Sequence, residues 1–225
     1  MTDSSNIEKK VQELFNRGAH LGHRKNRIHP KAKKFIYKIV NQQSIIDLNQ
    51  TVIFLQKAKK FFNQLKKENK TILFVATKKN VTSIVEKICQ ENNLFYLTNK
   101  WPPGFLTNFE TFLKNNIQKM QKMREEKEKG EWEKFLKHER LKLEKQLKKI
   151  EKIYRGVFSM KTIPDALFII DVKREKNAVT EAKKTKIPII AIVDTNVNPD
   201  LVDYPIPAND DSAETIEYII KELVY

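Results

Sequence analysis

Three apolar runs constrain this chain more than any other feature: Thr71–Ala76 (TILFVA), Ala166–Asp171 (ALFIID) and Pro188–Asp194 (PIIAIVD). Each is continuous rather than alternating, and rich in β-branched or aromatic residues. A half-buried strand alternates apolar and polar positions. A run without alternation suits a strand buried on both faces, as in a parallel sheet. Helical patterns follow these runs, over about Val81–Asn92, Lys173–Thr185 and Ser212–Leu223. Weaker strands are expected at Phe35–Val40 with Ile45–Ile46, at Phe95–Leu97 and at Val202–Ile206. Further helices are expected over Ile7–Arg17 and Gln50–Glu68. Strands alternating with helices predict right-handed βαβ units and an α/β fold with helices on both sheet faces.

The middle of the chain breaks this rhythm. Phe109–Tyr154 contains no strand signal and no proline. Its first half spaces Phe109, Leu113, Met120 and Met123 near a heptad. Its second half places Leu136, Leu143, Leu147, Ile150 and Tyr154 on a narrow apolar seam with charges elsewhere. Lys129-Gly130 sits between the halves, where a turn belongs. A single long charged helix is the plainer alternative. A seam in both halves needs a partner to bury it, which favours an antiparallel coiled-coil hairpin projecting from the α/β domain. The expected organisation is a discontinuous α/β domain over residues 1–108 and 156–225, with a hairpin over 109–155.

Charge identifies the class of partner. The chain has 43 Lys+Arg against 28 Asp+Glu, a net charge of +15. Residues 17–38 (RGAHLGHRKNRIHPKAKKFIYK) hold eight Lys or Arg and no acid. Leu21, Ile28, Phe35, Ile36 and Tyr37 interleave the charges, which suggests a fixed surface rather than a loose tail. Such a field attracts phosphate backbones, and each neutralised phosphate releases a counterion. The candidate nucleic-acid contacts are Arg24, Lys25, Arg27, Lys31, Lys33, Lys34 and Lys38, with Lys78, Lys79 and Lys100 on the domain's rim. Ordinary solvation is the alternative for the rim lysines. The lone Cys89 excludes a disulfide framework and reads as a core residue. No run of about 18 apolar residues is present, as a membrane span requires. The polar first fifteen residues do not resemble a signal peptide, so a soluble intracellular protein is expected.

Enzyme signatures are sparse. Only five glycines occur and none forms G-x-G, so no dinucleotide fingerprint or phosphate loop can be drawn. Thr77-Lys78-Lys79 follows a strand, where doubly wound sheets bind ligands, but without glycines the backbone cannot wrap a phosphate. No serine sits in a nucleophile elbow. A nucleotide-binding enzyme on a doubly wound sheet is the rival reading. His20 and His23 lie three apart, and a cation there would need carboxylates as well. Asp194 ends a strong strand and Asp210-Asp211 precedes the last helix, where Asp211 also suits an N-cap. Trp101, in the corner Trp101-Pro102-Pro103-Gly104, reads as cover for the hairpin's root more readily than as a base-stacking residue.

AHLGHRKNRIHPKAKKFIY, TILFVATKK, KWPPGFLTNF, IPDALFIID and IPIIAIVDTNVNPDLVDYPIPANDD, in this order, resemble the bacterial-type S-two family of small-subunit ribosomal proteins. The resemblance covers about residues 7–223. It implies a flavodoxin-like α/β domain with a protruding coiled-coil hairpin and no enzymatic activity. It implies binding to 16S ribosomal RNA, contact with neighbouring small-subunit proteins and a part in docking the S-one protein. The implied location is a ribosome, in the bacterial cytoplasm or in a plastid or mitochondrion. No cofactor is required, but some members look able to hold zinc through one His and several Asp. The matching positions are His23, Asp194, Asp210 and Asp211. The family's Trp-Leu-Gly-Gly is Trp101-Pro102-Pro103-Gly104 here, and its Gly-Gly after the hairpin is Arg155-Gly156-Val157.

Overall fold

The computed structural model describes residues 2–225. The chain opens with helix α1 (Thr2–Asn16), then strands β1 (Leu21–Arg24), β2 (Ile36–Val40) and β3 (Gln43–Ile46). Next come α2 (Leu48–Lys67), β4 (Ile72–Val75), α3 (Thr82–Glu91) and β5 (Phe95–Leu97). The middle is helical: α4 (Phe109–Phe112), a π-helical stretch over Leu113–Gln118, α5 (Lys119–Glu128) and α6 (Lys137–Tyr154). The chain closes with β6 (Ala166–Ile170), α7 (Lys176–Thr185), β7 (Ile189–Val193), β8 (Tyr204–Pro207) and α8 (Ala213–Val224).

The three apolar runs form the centre of a five-stranded sheet in the order β5-β4-β6-β7-β8. Every pairing in it is parallel. The order is that of flavodoxin-like folds, with the direction of winding reversing between β4 and β6. Successive residues explain the missing alternation. Ile72, Phe74, Phe168, Ile170, Ile190 and Ile192 face α1, α2, α3 and α8 in one core. Leu73, Val75, Leu167, Ile169, Ile189 and Ala191 face α7 in the other. Burying each such large side chain contributes about 1.5–3 kcal/mol, so both faces need cover.

Helix α7 covers only part of the second face. The remainder is closed by Trp101, Phe105, Leu106, Phe109 and Phe112, with Tyr154, Val157 and Met160 from the return of the hairpin. Phe105 meets Phe112 edge-on at 4.7 Å, and Phe112 meets Tyr154 at 5.1 Å. Glu181 of α7 fixes this corner by accepting bonds from Trp101 Nε1 (3.0 Å), Gly104 N (2.8 Å) and Leu106 N (3.0 Å). Trp101 is therefore buried packing, as its neighbours suggested.

Helices α5 and α6 lie side by side, joined through Gly130 in a left-handed conformation (φ 72°). Met120, Met123, Trp132 and Leu147 are buried and continuous with the second core, and Arg124 pairs with Glu151 at 2.6 Å. The expected seam differs in two places. Phe109 packs under the root with Phe105, because the π-helical stretch after it changes the helical phase before Met120. Leu136 is 66% exposed, because it stands in extended conformation just before α6 begins.

One strand has no clear signal in the sequence. β1 reads LGHR, with neither alternation nor β-branching, and owes its form to antiparallel pairing with β3. β2 also pairs with β3, across a two-residue turn in which Asn41 and Gln42 both have positive φ, giving a separate sheet in the order β1-β3-β2.

Gly156, just past α6, lies flat against β5. A Cβ there would stand 2.3 Å from the carbonyl oxygen of Tyr96 and 2.5 Å from its ring. Gly156→Ala is expected to cost about 1–3 kcal/mol through overpacking. Urea denaturation measures this, and an unchanged midpoint would show that the β5 edge yields freely.

Candidate nucleic-acid interface

The basic segment is held against the carboxyl ends of the sheet. Gly22 passes so close to the loop after β7 that a Cβ would lie 2.5 Å from Ser44 Oγ and 2.8 Å from Thr195 Cγ2. That clearance lets His23 N donate to Thr195 Oγ1 (2.9 Å) and Ser44 Oγ donate to His23 O (2.7 Å). His29 N donates to Thr195 O at 2.8 Å. Upstream, Asn209 Nδ2 donates to Gly18 O (3.0 Å), and the hydroxyls of Ser212 and Thr215 donate to Arg17 O (each 2.8 Å). These bonds tie residues 17–29 to the loops after β7 and β8.

Beyond them, Pro30–Phe35 forms 3-10 turns whose Ala32 and Phe35 are buried, with Phe35 edge-on to Phe54 at 5.2 Å. Of the expected apolar anchors, Phe35 serves. Leu21 (40% exposed) and Tyr37 (70% exposed) do not, because the β1-β3-β2 sheet leaves them facing outward. Ala32 is an anchor too small to stand out in the sequence.

With the backbone fixed, the cations fall outward. Arg24, Lys25, Arg27, Lys31, Lys33, Lys34 and Lys38 are all exposed. Lys79 and Lys100, also exposed, follow the carboxyl ends of β4 and β5. Lys31 and Lys34 share Asp200, at 2.8 and 3.3 Å. The hydrogen bond from Lys31 holds that carboxyl below its ordinary range.

Lys78 behaves differently. Its side chain is 14% exposed, and its ammonium lies 2.6 Å from Asp210 Oδ1, 2.8 Å from Asp211 Oδ1 and 3.1 Å from Asp171 Oδ2. Burial opposes its charge, but the Asp210 and Asp211 contacts outweigh burial and raise its pKa. Asp210 is pushed up to about 7 by burial and then by the charge of Asp171. The Lys78 hydrogen bond lowers Asp211. This cluster fills the crevice between β4 and β6 where doubly wound sheets take their ligands.

The four expected metal ligands divide into two groups. His23 Nδ1 lies 3.0 Å from Asp194 Oδ2, a contact that raises the histidine's pKa against the pull of burial. The contact lacks hydrogen-bond alignment, and Asp194 Oδ2 is a buried oxygen without a donor. Asp210 and Asp211 meet at Lys78 instead. Among the described residues, no group of three or more His, Cys, Asp or Glu is arranged to hold a metal ion. Asp171, Asp200, Ser44 and Thr195 complete these contacts. Asp171, Thr195 and Asp200 lie in segments that stand out in the sequence, but their partnerships, like the part played by Ser44, become visible only once distant loops meet.

Residues 14–225 match the sequence profile of a family described as Ribosomal protein S2. The chain belongs to the ribosomal protein S2 family. It is 41% identical over 213 residues to small ribosomal subunit protein uS2 of Dictyoglomus thermophilum, covering 95% of this chain and 86% of that one. The protein of the same name from Petrotoga mobilis is 42% identical over 95% of this chain and 74% of its own length. That of Borreliella burgdorferi is 37% identical over 94% and 81%. Ribosomal protein S2 is a structural, non-enzymatic component of the small subunit. Among the described residues, no helix is long and apolar enough to cross a membrane.

Thr195→Val keeps the side chain's shape and removes the oxygen that receives His23 N. The expected cost is about 1–3 kcal/mol, the penalty of an unsatisfied buried donor. Hydrogen exchange at His23 should quicken more than exchange in β6. Equal protection in mutant and parent would mean that Thr195 does not hold the segment.

Proposed function

We propose that this chain binds 16S ribosomal RNA in the small ribosomal subunit through the basic segment and the cations beside it. The supporting observation is the contrast between a fixed backbone and outward charge. Residues 17–35 are bonded to the loops after β7 and β8 or anchored in the core, while Arg24, Lys25, Arg27, Lys31, Lys33, Lys34 and Lys38 face solvent. Fixed cations contact phosphates at little cost in ordering, and an A-form helix is recognised largely by its shape and backbone. Lys79 and Lys100 extend the set. Lys78 stands outside it, because its ammonium is already held by three carboxylates. The site of action is the bacterial cytoplasm, or an organelle with ribosomes of its own. Docking of the S-one protein is part of the same reading and rests on the family alone.

Zinc at His23, Asp194, Asp210 and Asp211 does not fit the geometry, since an ammonium stands between the last two. No step of the proposed function depends on a metal.

Changing Arg24, Lys25, Arg27, Lys31, Lys33 and Lys34 together to Gln tests the RNA reading. Filter binding at several salt concentrations should show a log–log slope reduced by up to about 0.9 per lost contact, the duplex-DNA value being a guide. An unchanged slope means that these charges are only solvated.

The hairpin over 109–155 forms the second unit of this reading, a protruding coiled coil that locks the protein into the subunit. Its root packs against the sheet, and Met120, Met123, Trp132 and Leu147 extend that core along the hairpin. Replacing Gln118–Leu147 with a short Gly-Ser turn leaves Phe105, Phe109, Phe112 and Tyr154 in place. The shortened protein is expected to melt cooperatively and to incorporate poorly into small subunits. Loss of the cooperative transition would count against a two-unit organisation, and normal incorporation against a locking role.

A further inference from the structure

Four oxygens surround the Lys78 ammonium. Asp210 Oδ1 lies at 2.6 Å, the carbonyl oxygen of Asp210 at 2.7 Å, Asp211 Oδ1 at 2.8 Å and Asp171 Oδ2 at 3.1 Å. They come from segments following two strands, Asp171 after β6 and Asp210-Asp211 after β8, while Lys78 itself follows β4. An ammonium has three N–H donors, so four oxygens more than satisfy it. The donor set contains no nitrogen or sulfur. Hard cations such as calcium take all-oxygen shells at about 2.3–2.6 Å, a few tenths of an ångström inside these distances. Zinc sites favour histidine and cysteine. His23 is turned to Asp194 and Asn196, outside this shell.

We propose that Lys78 is the resident cation of an oxygen cage at the carboxyl end of the sheet, occupying the place of a hard divalent metal ion and excluding one. Its charge joins the loops after β4, β6 and β8, so that the crevice closes without any bound ligand. Asp210 is next to Asn209, whose backbone N–H donates to Ala19 O (3.1 Å) and whose side chain donates to Gly18 O. Lys78 thereby acts as a positioning residue for the start of the basic segment. The proposal concerns the free protein and is independent of RNA binding.

The experiment uses purified full-length protein without RNA, treated with chelator and then dialysed. Thermal melts with CaCl2 or ZnCl2 compare the parent, Lys78→Met and Lys78→Arg. The parent and Lys78→Arg, which keep a cation in the cage, are expected to melt at the same temperature with or without calcium. Lys78→Met removes the cation and keeps the apolar stem. It is expected to melt lower without metal, to regain stability as calcium is added, and to lose the gain when chelator follows. Adding Asp210→Asn to Lys78→Met should remove most of the calcium response, because it takes a charge from the cage. Zinc should be the weaker ligand of Lys78→Met. Calcium stabilisation of the parent equal to that of Lys78→Met would overturn the exclusion. A Lys78→Met protein that is indifferent to calcium, or unfolded at every calcium concentration, would overturn the cage itself.

Discussion

Five parallel strands with large apolar side chains on both sides cannot leave either face to water, and most of the architecture follows from covering them. Four helices close the face built on Phe74, Phe168 and Ile192. The face built on Val75, Ile169 and Ala191 receives α7 and needs more. The chain supplies it by folding an aromatic corner, Trp101 to Phe112, over the β4 and β5 side and bringing Tyr154 and Val157 back onto it. The helical hairpin therefore grows out of the core. Its root is a wall of the sheet, which explains the tight approach of Gly156 to Tyr96.

The same division separates what the sequence made legible from what it did not. Strands β4, β6 and β7 were plain because burial on both faces leaves runs with no polar interruption, and the helices next to them kept a clear period. The strand over Phe95–Leu97 is legible to its bounds, whereas β8 starts two residues and ends one residue beyond the expected Val202–Ile206, because Pro205 and Pro207 blur its pattern. β1 was missed because its conformation comes from β3 and from Thr195, neither of them nearby in sequence. Two apolar seams suggest a paired middle, and α5 and α6 do lie side by side. The π-helical stretch was not legible, since the insertion of a single residue into a helix leaves no compositional trace.

The site divides in a similar way. The cations of the basic segment announced themselves through charge, but their placement rests on neutral groups. Ser44, Thr195, Asn209 and Ser212 make the bonds, and Gly22 leaves the clearance, that aim Arg24 to Lys34 outward. The most distinctive segments of the sequence, around His23, Val193-Asp194-Thr195-Asn196 and Ile206–Asp211, are thus the two halves of a clamp. Lys78 reverses the usual meaning of a basic residue at a strand end. Its position suggested a phosphate contact, and its surroundings, invisible until three loops converge, give it an internal partner set. Of the carboxylates read as metal ligands, Asp210 and Asp211 share a cation that lies 132 and 133 residues earlier in the chain, while Asp194 turns to His23.

The clamp also imposes an order in time. His23 is bonded to Thr195 across 172 residues, and Gly18 and Arg17 to partners 191–198 residues later. A ribosome adding about 5–20 residues per second needs roughly 9–34 s to pass from the first of these partners to the second. Throughout that interval the segment has its charges but not its shape, so it can be drawn to any polyanion nearby without discriminating among them. On the proposed RNA reading, discrimination begins only when the last fifth of the chain has emerged and the loops after β7 and β8 take hold. A truncated chain ending before Thr195 would keep nearly all of the attraction and none of the geometry that directs it.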